Sequence, residues 1–318
     1  MQSKAIKLNQ LLACATLGAL LPSVACAYDE PTVNLGATSF MDGAPPAGPG
    51  VYLTEYLQYY TANKLKDNNG NNLTLPKQSV DVTDLLTQIT YVSEQTLGTA
   101  NLGVQFLLPA VFQADTDDGL NGAALHGKTG VGDLEIGPFL QFAPIMGAAG
   151  PKMLNRVEFT FILPTGEYDK TAAVNPGSNF WSFNPYWAAT YFFTPELTAS
   201  WRLHYLWNAK NDEADTSSGL AAGTSQAGQA VHGNWTVDYA VTPQLRVGLN
   251  GYFFDQFTDT KNNGVDVANR KESVWAVGPG AMYSFSKDDH LFFNAYFEQD
   301  AENRPEGNRI QARWVHHF

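Results

Sequence analysis

The chain has 318 residues, 44% of them hydrophobic, with 19 Lys and Arg against 31 Asp and Glu and a formal net charge of −12. So acidic a chain offers no basic face for nucleic acid, which is excluded as a partner. Nowhere do the hydrophobic residues gather into the roughly eighteen consecutive apolar positions of a membrane-spanning helix. Any crossing of a membrane must therefore be made by strands closed into a barrel, because lipid cannot satisfy an open sheet edge.

Residues 1–27 read as an export signal. Lys4 and Lys7 give a positive start, Leu11 to Val24 is a short apolar run, and Ala25-Cys26-Ala27 has the small-residue form of a cleavage site. Cleavage after Ala27 leaves Tyr28 first. Acylation of Cys26 is the rival reading, and Ser23 argues against it by standing where such a site wants Leu. Cys14 and Cys26 leave with the signal, so the exported chain has no disulfide framework and no thiolate for a metal or a nucleophile. Two lysines and no acid leave as well, giving 17 Lys and Arg against 31 acids and a net charge of −14. No cofactor is implied. Residues 28–50 follow, and the stretch Asp42-Gly43-Ala44-Pro45-Pro46-Ala47-Gly48-Pro49-Gly50 breaks regular structure. The plainer expectation for this segment is a periplasmic tail; the alternative is a segment tucked into a lumen.

From residue 51 onward, period-two alternation predicts twelve strands: 51–62, 79–92, 101–112, 132–143, 155–165, 180–193, 198–209, 230–242, 244–257, 272–286, 289–300 and 307–318. In 198–209, Trp201, Leu203, Tyr205 and Trp207 oppose Arg202, His204 and Asn208. In 230–242, Val231, Trp235, Val237 and Tyr239 oppose His232, Asn234 and Asp238. Leu85 and Leu86 stand together in the second strand and predict a bulge there. Joins after even-numbered strands are tight, save 144–154. Joins after odd-numbered strands are long, polar and rich in Asn, Asp and Gly, save one near 301–306. That asymmetry predicts an all-β fold: one antiparallel, up-and-down transmembrane β-barrel of twelve strands over residues 51–318.

The last strand ends the chain on an aromatic. Ile310, Ala312, Trp314, His316 and Phe318 share one face and Gln311, Arg313, Val315 and His317 the other. This resembles the closing strand of bacterial outer-membrane barrels, in which the final residue, here Phe318, carries the signal read by the outer-membrane insertion machinery. His316 departs from the usual Tyr, Phe or aliphatic residue. Two local motifs narrow the resemblance. One is Gly36-Ala37-Thr38-Ser39-Phe40-Met41-Asp42-Gly43-Ala44-Pro45-Pro46, running on to Tyr56. The other is Leu163-Pro164-Thr165-Gly166-Glu167-Tyr168-Asp169, followed by Asn175-Pro176-Gly177 and Asn179-Phe180-Trp181. Over essentially the whole exported chain, these resemble the outer-membrane transporter-like family named for the meta-pathway of phenol degradation. The resemblance implies passage of small, often aromatic or hydrophobic, compounds across the outer membrane, without fixing phenol as the solute.

A cation on the lipid face at mid-depth costs about 2–4 kcal/mol. The charged faces therefore belong inside, and the expected lumen residues are Glu135, Glu158, Arg202, His204, Asp238, Arg246, Glu298, Asp300 and Arg313, with His232 and the aromatics Phe139, Tyr186, Tyr252 and Tyr296 among them. Opposed charges of this kind either fill the barrel as a structural ladder or line a selective path. Trp181, Trp201, Trp207, Trp235, Trp275 and Trp314 are expected at the membrane interfaces, in contact with lipid and lipopolysaccharide.

Asp115, Asp117, Asp118, Gly119 and Asn121 faintly resemble a calcium loop with a spacing one residue short, so a solvated loop is the expectation and no metal site is assigned. No histidine has a Ser two residues on, which is the pattern a barrel lipase would place on a strand. The expected function is an outer-membrane channel for a small-molecule solute and not an enzyme. A structural or adhesion barrel is the alternative and a barrel hydrolase the more distant one. The exported protein is predicted to begin at Tyr28 with no lipid on Cys26. Intact mass of the protein purified from outer membranes reads both, and a diacylated Cys26 would reverse the assignment.

Overall fold

A computed structural model describes residues 29–122, 125–148, 150–217 and 219–318; the expected export signal, residues 1–27, and Tyr28 lie outside the described residues. Twelve strands follow one another around a single sheet. They are β1 (Gly50–Leu65), β2 (Ser79–Leu97), β3 (Ala100–Asp117), β4 (Leu134–Phe142), β5 (Gly150–Glu158 continued by Phe161–Leu163) and β6 (Ser182–Phe183 continued by Tyr186–Phe192). The circuit goes on through β7 (Leu197–Asn208), β8 (Ala230–Ala240), β9 (Leu245–Gln256), β10 (Ser273–Ser284), β11 (Asp289–Glu302) and β12 (Pro305–His317). Each strand pairs antiparallel with the next, and β12 pairs with β1 from Tyr52↔His317 to Leu65↔Pro305, so the sheet has no free edge.

Alternation turns this sheet inside out relative to a soluble protein. Leu57, Ile89, Phe106, Trp187, Leu249, Phe293 and Ile310 are exposed on the outer face, while Gln58, Gln88, Gln105, Asn250, Asn294 and Gln311 are buried inside. A continuous apolar exterior of this kind needs lipid to cover it. Glu55 is an outward exception, near the rim, where the Thr87 hydroxyl donates to its carboxylate at 2.9 Å.

The structure corrects several local expectations. The long join at 144–154 is a hairpin, because Ile145–Gly147 pairs back onto the start of β5 and lengthens the wall. The bulge expected at Leu85-Leu86 falls between Thr83 and Asp84, and its extra residue is Phe112 of β3. A second shift lies between β10 and β11, where Asp300 adopts a left-handed φ of 51°. That bulge reverses the alternation. Asp300 faces outward and accepts from the Trp275 indole at 2.9 Å, while Ala301 takes the buried place. Asp300 is therefore not a lumen residue.

Long loops occupy one rim, and two of them are tied by a small sheet of Ser225–Gln226, Lys261–Asn262 and Val265–Asp266. At the other rim the closing seam explains the histidines that end the chain. His316 Nδ1 meets Asp289 at 2.8 Å and its ring sits between Trp314 and Phe318. His317 meets Asp288 at 3.0 Å, and its ring lies tilted against that of Tyr52, 4.5 Å between centres. The His317 hydrogen bond holds the Asp288 carboxyl below the usual carboxylate range. The backbone N–H of Phe318 donates to Val51 at 3.0 Å, extending the seam to the last residue.

The pairing of Leu57 with Ala312 across the seam gives a direct test, since residues 29–318 contain no cysteine. Leu57→Cys with Ala312→Cys is expected to form a disulfide on folding, read as a mobility shift reversed by reductant. Leu57→Cys with Gln311→Cys, whose side chains lie on opposite faces, is expected to stay open. Cross-linking of the second pair alone would overturn the register.

Candidate functional site

The Gly- and Pro-rich segment ahead of β1 lies inside the barrel. It has few internal backbone hydrogen bonds, so its N–H and C=O groups must be met from the wall. The Gly36 N–H donates to Asn234 Oδ1 at 2.7 Å, and the Gly36 carbonyl accepts from Tyr296 Oη at 2.9 Å. Gln311 donates to the Ala37 carbonyl at 2.9 Å, and the Gly43 N–H donates to Thr190 Oγ1 at 2.9 Å. Gly36 has φ +81°, and a Cβ there would meet the Tyr296 ring. Leu35 packs with Tyr252, Phe254 and Tyr296, and Phe40 with Met282 and Phe292. Two ion pairs fix the segment at its extremes. Asp29 meets Arg270 at 2.5 and 2.9 Å, and Asp42 meets Arg202 twice at 2.7 Å. Residues 29–49 thus thread the lumen, with residue 29 near the long loops and Gly50 at the opposite rim.

This strand-free thread divides the lumen. An outer chamber of about 210 Å³ lies under the long loops, with Val33, Leu65, Val82, Val111 and Leu125 on its apolar side and Asp84, Arg304 and Arg309 among its charges. An inner chamber of about 270 Å³ lies toward the short-turn rim, among Phe40, Asp42, Tyr56, Arg156, Arg202 and Arg313. Between them is a neck of about 50 Å³ that shares Asp84 and Arg309 with the outer chamber and Gln88, Gln105 and Arg202 with the inner one.

The expected lumen residues, Asp300 apart, meet in this interior. Glu158 accepts from Tyr186 Oη at 2.5 Å and Thr160 at 2.9 Å. Glu298 accepts from Tyr60 and Tyr252, each at 2.7 Å. Asp238 pairs with Arg246 and accepts from Thr198 at 2.7 Å. Glu135 lines the neck beside Arg202 and His204. His204 Nδ1 and His232 Nε2 both meet Asn184 Oδ1, at 3.2 and 3.0 Å, with their rings stacked 4.1 Å apart. The Asn184 amide thus ties the two imidazole rings together. Asn184 reaches them because β6 is interrupted at Asn184-Pro185, where proline cannot donate to the ladder. Arg313 lies over Phe292 with its centre 3.6 Å from the ring.

Arg156, Arg309 and Asp84 also face inward, and period two could have found them. Arg156 is two residues from Glu158 and Arg309 two from Gln311. Ser284 Oγ meets His290 Nδ1 at 2.8 Å, a pair made by cross-strand register and invisible to sequence spacing. The His290 Nε2 faces the Lys287 carbonyl at 3.2 Å, so the pair closes the β10–β11 turn. The six tryptophans stand on the outer face, Trp181 and Trp207 toward the loop rim. Trp201 and Trp235 pair directly with each other mid-strand. The Asp118 carboxylate accepts from the Leu120, Gly122 and Leu125 N–H groups, so the faintly calcium-like loop uses it to hold its own backbone.

The second sequence motif builds the roof of the outer chamber. Asp133 accepts from the Gly166 N–H at 2.8 Å, the Ser178 N–H at 2.7 Å and the Ser178 hydroxyl at 2.5 Å. Gly166 and Gly177 approach so closely that a Cβ on either would strike backbone. Asn175 bonds Asp169 through both its oxygen and its nitrogen. These bonds pin the loop after β5 over Pro176, Gly177 and Phe180, which line the chamber.

Twelve antiparallel strands closed on themselves, apolar outside and polar within, define a transmembrane β-barrel of the outer-membrane type. Residues 62–314 match the sequence model of the family described as MetA-pathway of phenol degradation, and the chain belongs to that family. The barrel superposes on the crystal structure of the COG4313 outer membrane channel from Pseudomonas putida F1 with a TM-score of 0.75 at 19% identity, over 90% of this chain and 100% of that one. The beta domain of the Bordetella autotransporter Brka scores 0.47 at 10% identity, over 85% and 100% of the two chains. A TodX monoaromatic hydrocarbon channel mutant scores 0.41 at 9%, over 86% and 91%. No curated relative matches the sequence.

Asp42→Ala removes the counter-ion of Arg202. Breaking a buried pair costs about 3–5 kcal/mol, less where water re-enters. The expected result is a larger single-channel conductance in planar bilayers. Trp201→Ala, on the lipid side, is expected to lower folded yield and leave conductance unchanged. The reverse pattern would mean the faces are inverted.

Proposed function

We propose that the protein is a channel of the bacterial outer membrane for passive or facilitated uptake of small amphipathic molecules, aromatic or otherwise apolar in part. The observation that carries this reading is the outer chamber. It opens under the long loops, offers an apolar wall facing Asp84, Arg304 and Arg309, and is roofed by the family's own loop motif. Aliphatic wall and polar edge together suit a solute with both characters. The family's phenol-degradation name is consistent with this class and does not select a member of it.

Volume sets the terms of passage. A cavity of about 150 Å³ is enough for benzene, so each chamber accepts one ring, whereas the neck of about 50 Å³ passes water and little more. Transport of a ring therefore requires residues 29–49 to shift. The surrounding lipid and lipopolysaccharide and the insertion machinery, acting through Phe318, are the partners this location entails. The protein has no catalytic role in this reading.

Swelling of liposomes carrying the purified barrel tests it. Phenylalanine, which is aromatic and does not cross lipid unaided, is expected to enter several times faster than raffinose. Silence toward every small solute, with folding shown by heat-modifiable gel mobility, would move the assignment to a structural barrel.

A further inference from the structure

Three guanidinium groups meet the inner chamber: Arg156 from β5, Arg202 from β7 and Arg313 from β12. Their partners differ. Arg202 is held by Asp42, at 2.7 Å from both Nε and Nη2. Arg156 donates through Nε to the Gln141 amide oxygen at 3.0 Å and lies 4.1 Å over the Phe139 ring. Arg313 is 95% buried, lies 3.6 Å over Phe292, and its Nε has no hydrogen-bond partner. Among the described residues, neither Arg156 nor Arg313 is ion-paired to a carboxylate. Elsewhere in the lumen Arg246, Arg270 and Arg304 face Asp238, Asp29 and Glu272, while Arg309 at the neck bonds the Gln58 amide oxygen at 2.7 Å and, among the described residues, has no carboxylate partner either. Glu158, two residues along β5 from Arg156 and on the same face, is hydrogen-bonded by Tyr186 and Thr160. The inner chamber therefore keeps two guanidinium groups with no carboxylate in ion-pair contact, inside a protein whose overall charge is strongly negative.

Aromatic faces attract a cation but do not satisfy its N–H donors. A guanidinium left in that state gains most from an anion that brings paired oxygens to its fork, which is the shape of a carboxylate. Asp42 demonstrates this geometry on the neighbouring arginine. The rest of the wall is not suited to a bare inorganic ion. Phe40, Tyr52, Tyr56, Met282 and Phe292 surround the charges with apolar and aromatic surface. About 270 Å³ leaves room for one ring and its substituent.

We propose that the inner chamber is a binding site for a small organic carboxylate, its charge drawn to Arg156 and Arg313 and its apolar or aromatic body laid against Phe40, Tyr56 and Phe292. The site is separate from the outer chamber, and it gives the uptake path an acid-selective station on the side where the solute leaves. Its place in transport rests on the channel reading; the binding itself does not, so it is measured without flux.

The test uses the folded full-length barrel in detergent, at pH 7.5 and 0.15 M sodium chloride, by equilibrium dialysis against radiolabelled benzoate and, separately, benzamide. Benzoate is expected to be retained saturably and at least tenfold more tightly than its neutral isostere. Arg156→Gln and Arg313→Gln are each expected to weaken benzoate tenfold or more while leaving benzamide unchanged. Arg309→Gln, at the outer chamber and neck, tests the other location: benzoate lost there and kept in both inner variants would place the anion site outside the inner chamber. Equal retention of the two probes by the unmodified protein overturns the proposal without recourse to any variant. So does benzoate binding that survives both inner substitutions or is lost only in Arg309→Gln. Failure here, with phenylalanine still entering liposomes, would remove the anion site and leave the channel standing.

Discussion

Everything in this molecule follows from the rule that a backbone in lipid must satisfy its own hydrogen bonds. The sheet meets that rule by closing β12 on β1. Closure puts one face of every strand in hydrocarbon and the other in a narrow bore. The outer face becomes apolar by necessity, and the polar and charged side chains are gathered inside at a density no soluble core would accept. Twelve strands set the width of the bore, between barrels filled by their own side chains and barrels that hold an open aqueous channel. An interior of that size, lined with Arg, Glu, Asn and Gln, must find partners for its polar groups.

The thread from Asp29 to Pro49 supplies many of them. Its lack of regular structure, which reads as a tail, leaves its peptide groups free to bond wall side chains such as Asn234, Tyr296, Gln311 and Thr190. Its two aspartates neutralise Arg202 and Arg270. Glycine at Gly36 and Gly43 lets the thread lie against rings and backbone where a side chain would not fit. The wall and the thread are thus incomplete apart and complementary together. This also accounts for the first family motif: its residues are lumen contacts.

Most of the wall was legible because period two is a physical consequence of closure in lipid, and it recurs in every strand. What was not legible depended on breaks in that period or on contacts distant in sequence. Asp300 sits at a bulge that only cross-strand register reveals. Asn184 reaches two histidines because a proline interrupts β6. Arg156 is a different case: it lies within the strand expected over 155–165, two residues from Glu158 on the same face, and period two places it in the lumen. The place of residues 29–49 could not be read from the segment itself, since a Gly- and Pro-rich sequence looks alike in water and in a lumen. Its partners lie as far away as Gln311, 274 residues from Ala37.

The same complementarity sets how the thread can yield. Pulling Asp42 away from Arg202 into nothing would cost about 3–5 kcal/mol, equivalent to roughly a hundred- to several-thousandfold penalty on the open state, since about 1.4 kcal/mol is tenfold. Exchange is far cheaper. If another carboxylate takes the guanidinium as Asp42 leaves, one charge-assisted pair replaces another and the buried cation is never exposed unpaired. A neutral solute offers no such exchange and must work against the full cost, or pass while water solvates the arginine. The ion pair at Asp42 and the two unpaired arginines beside it therefore make the inner half of the thread sensitive to the charge of what arrives. The outer half is held differently, by Leu35 among three aromatic rings and by Asp29 on Arg270. The outer chamber sets its charges against an aliphatic wall and the inner chamber sets its cations among aromatic rings, so the two stations would weigh charge and shape differently.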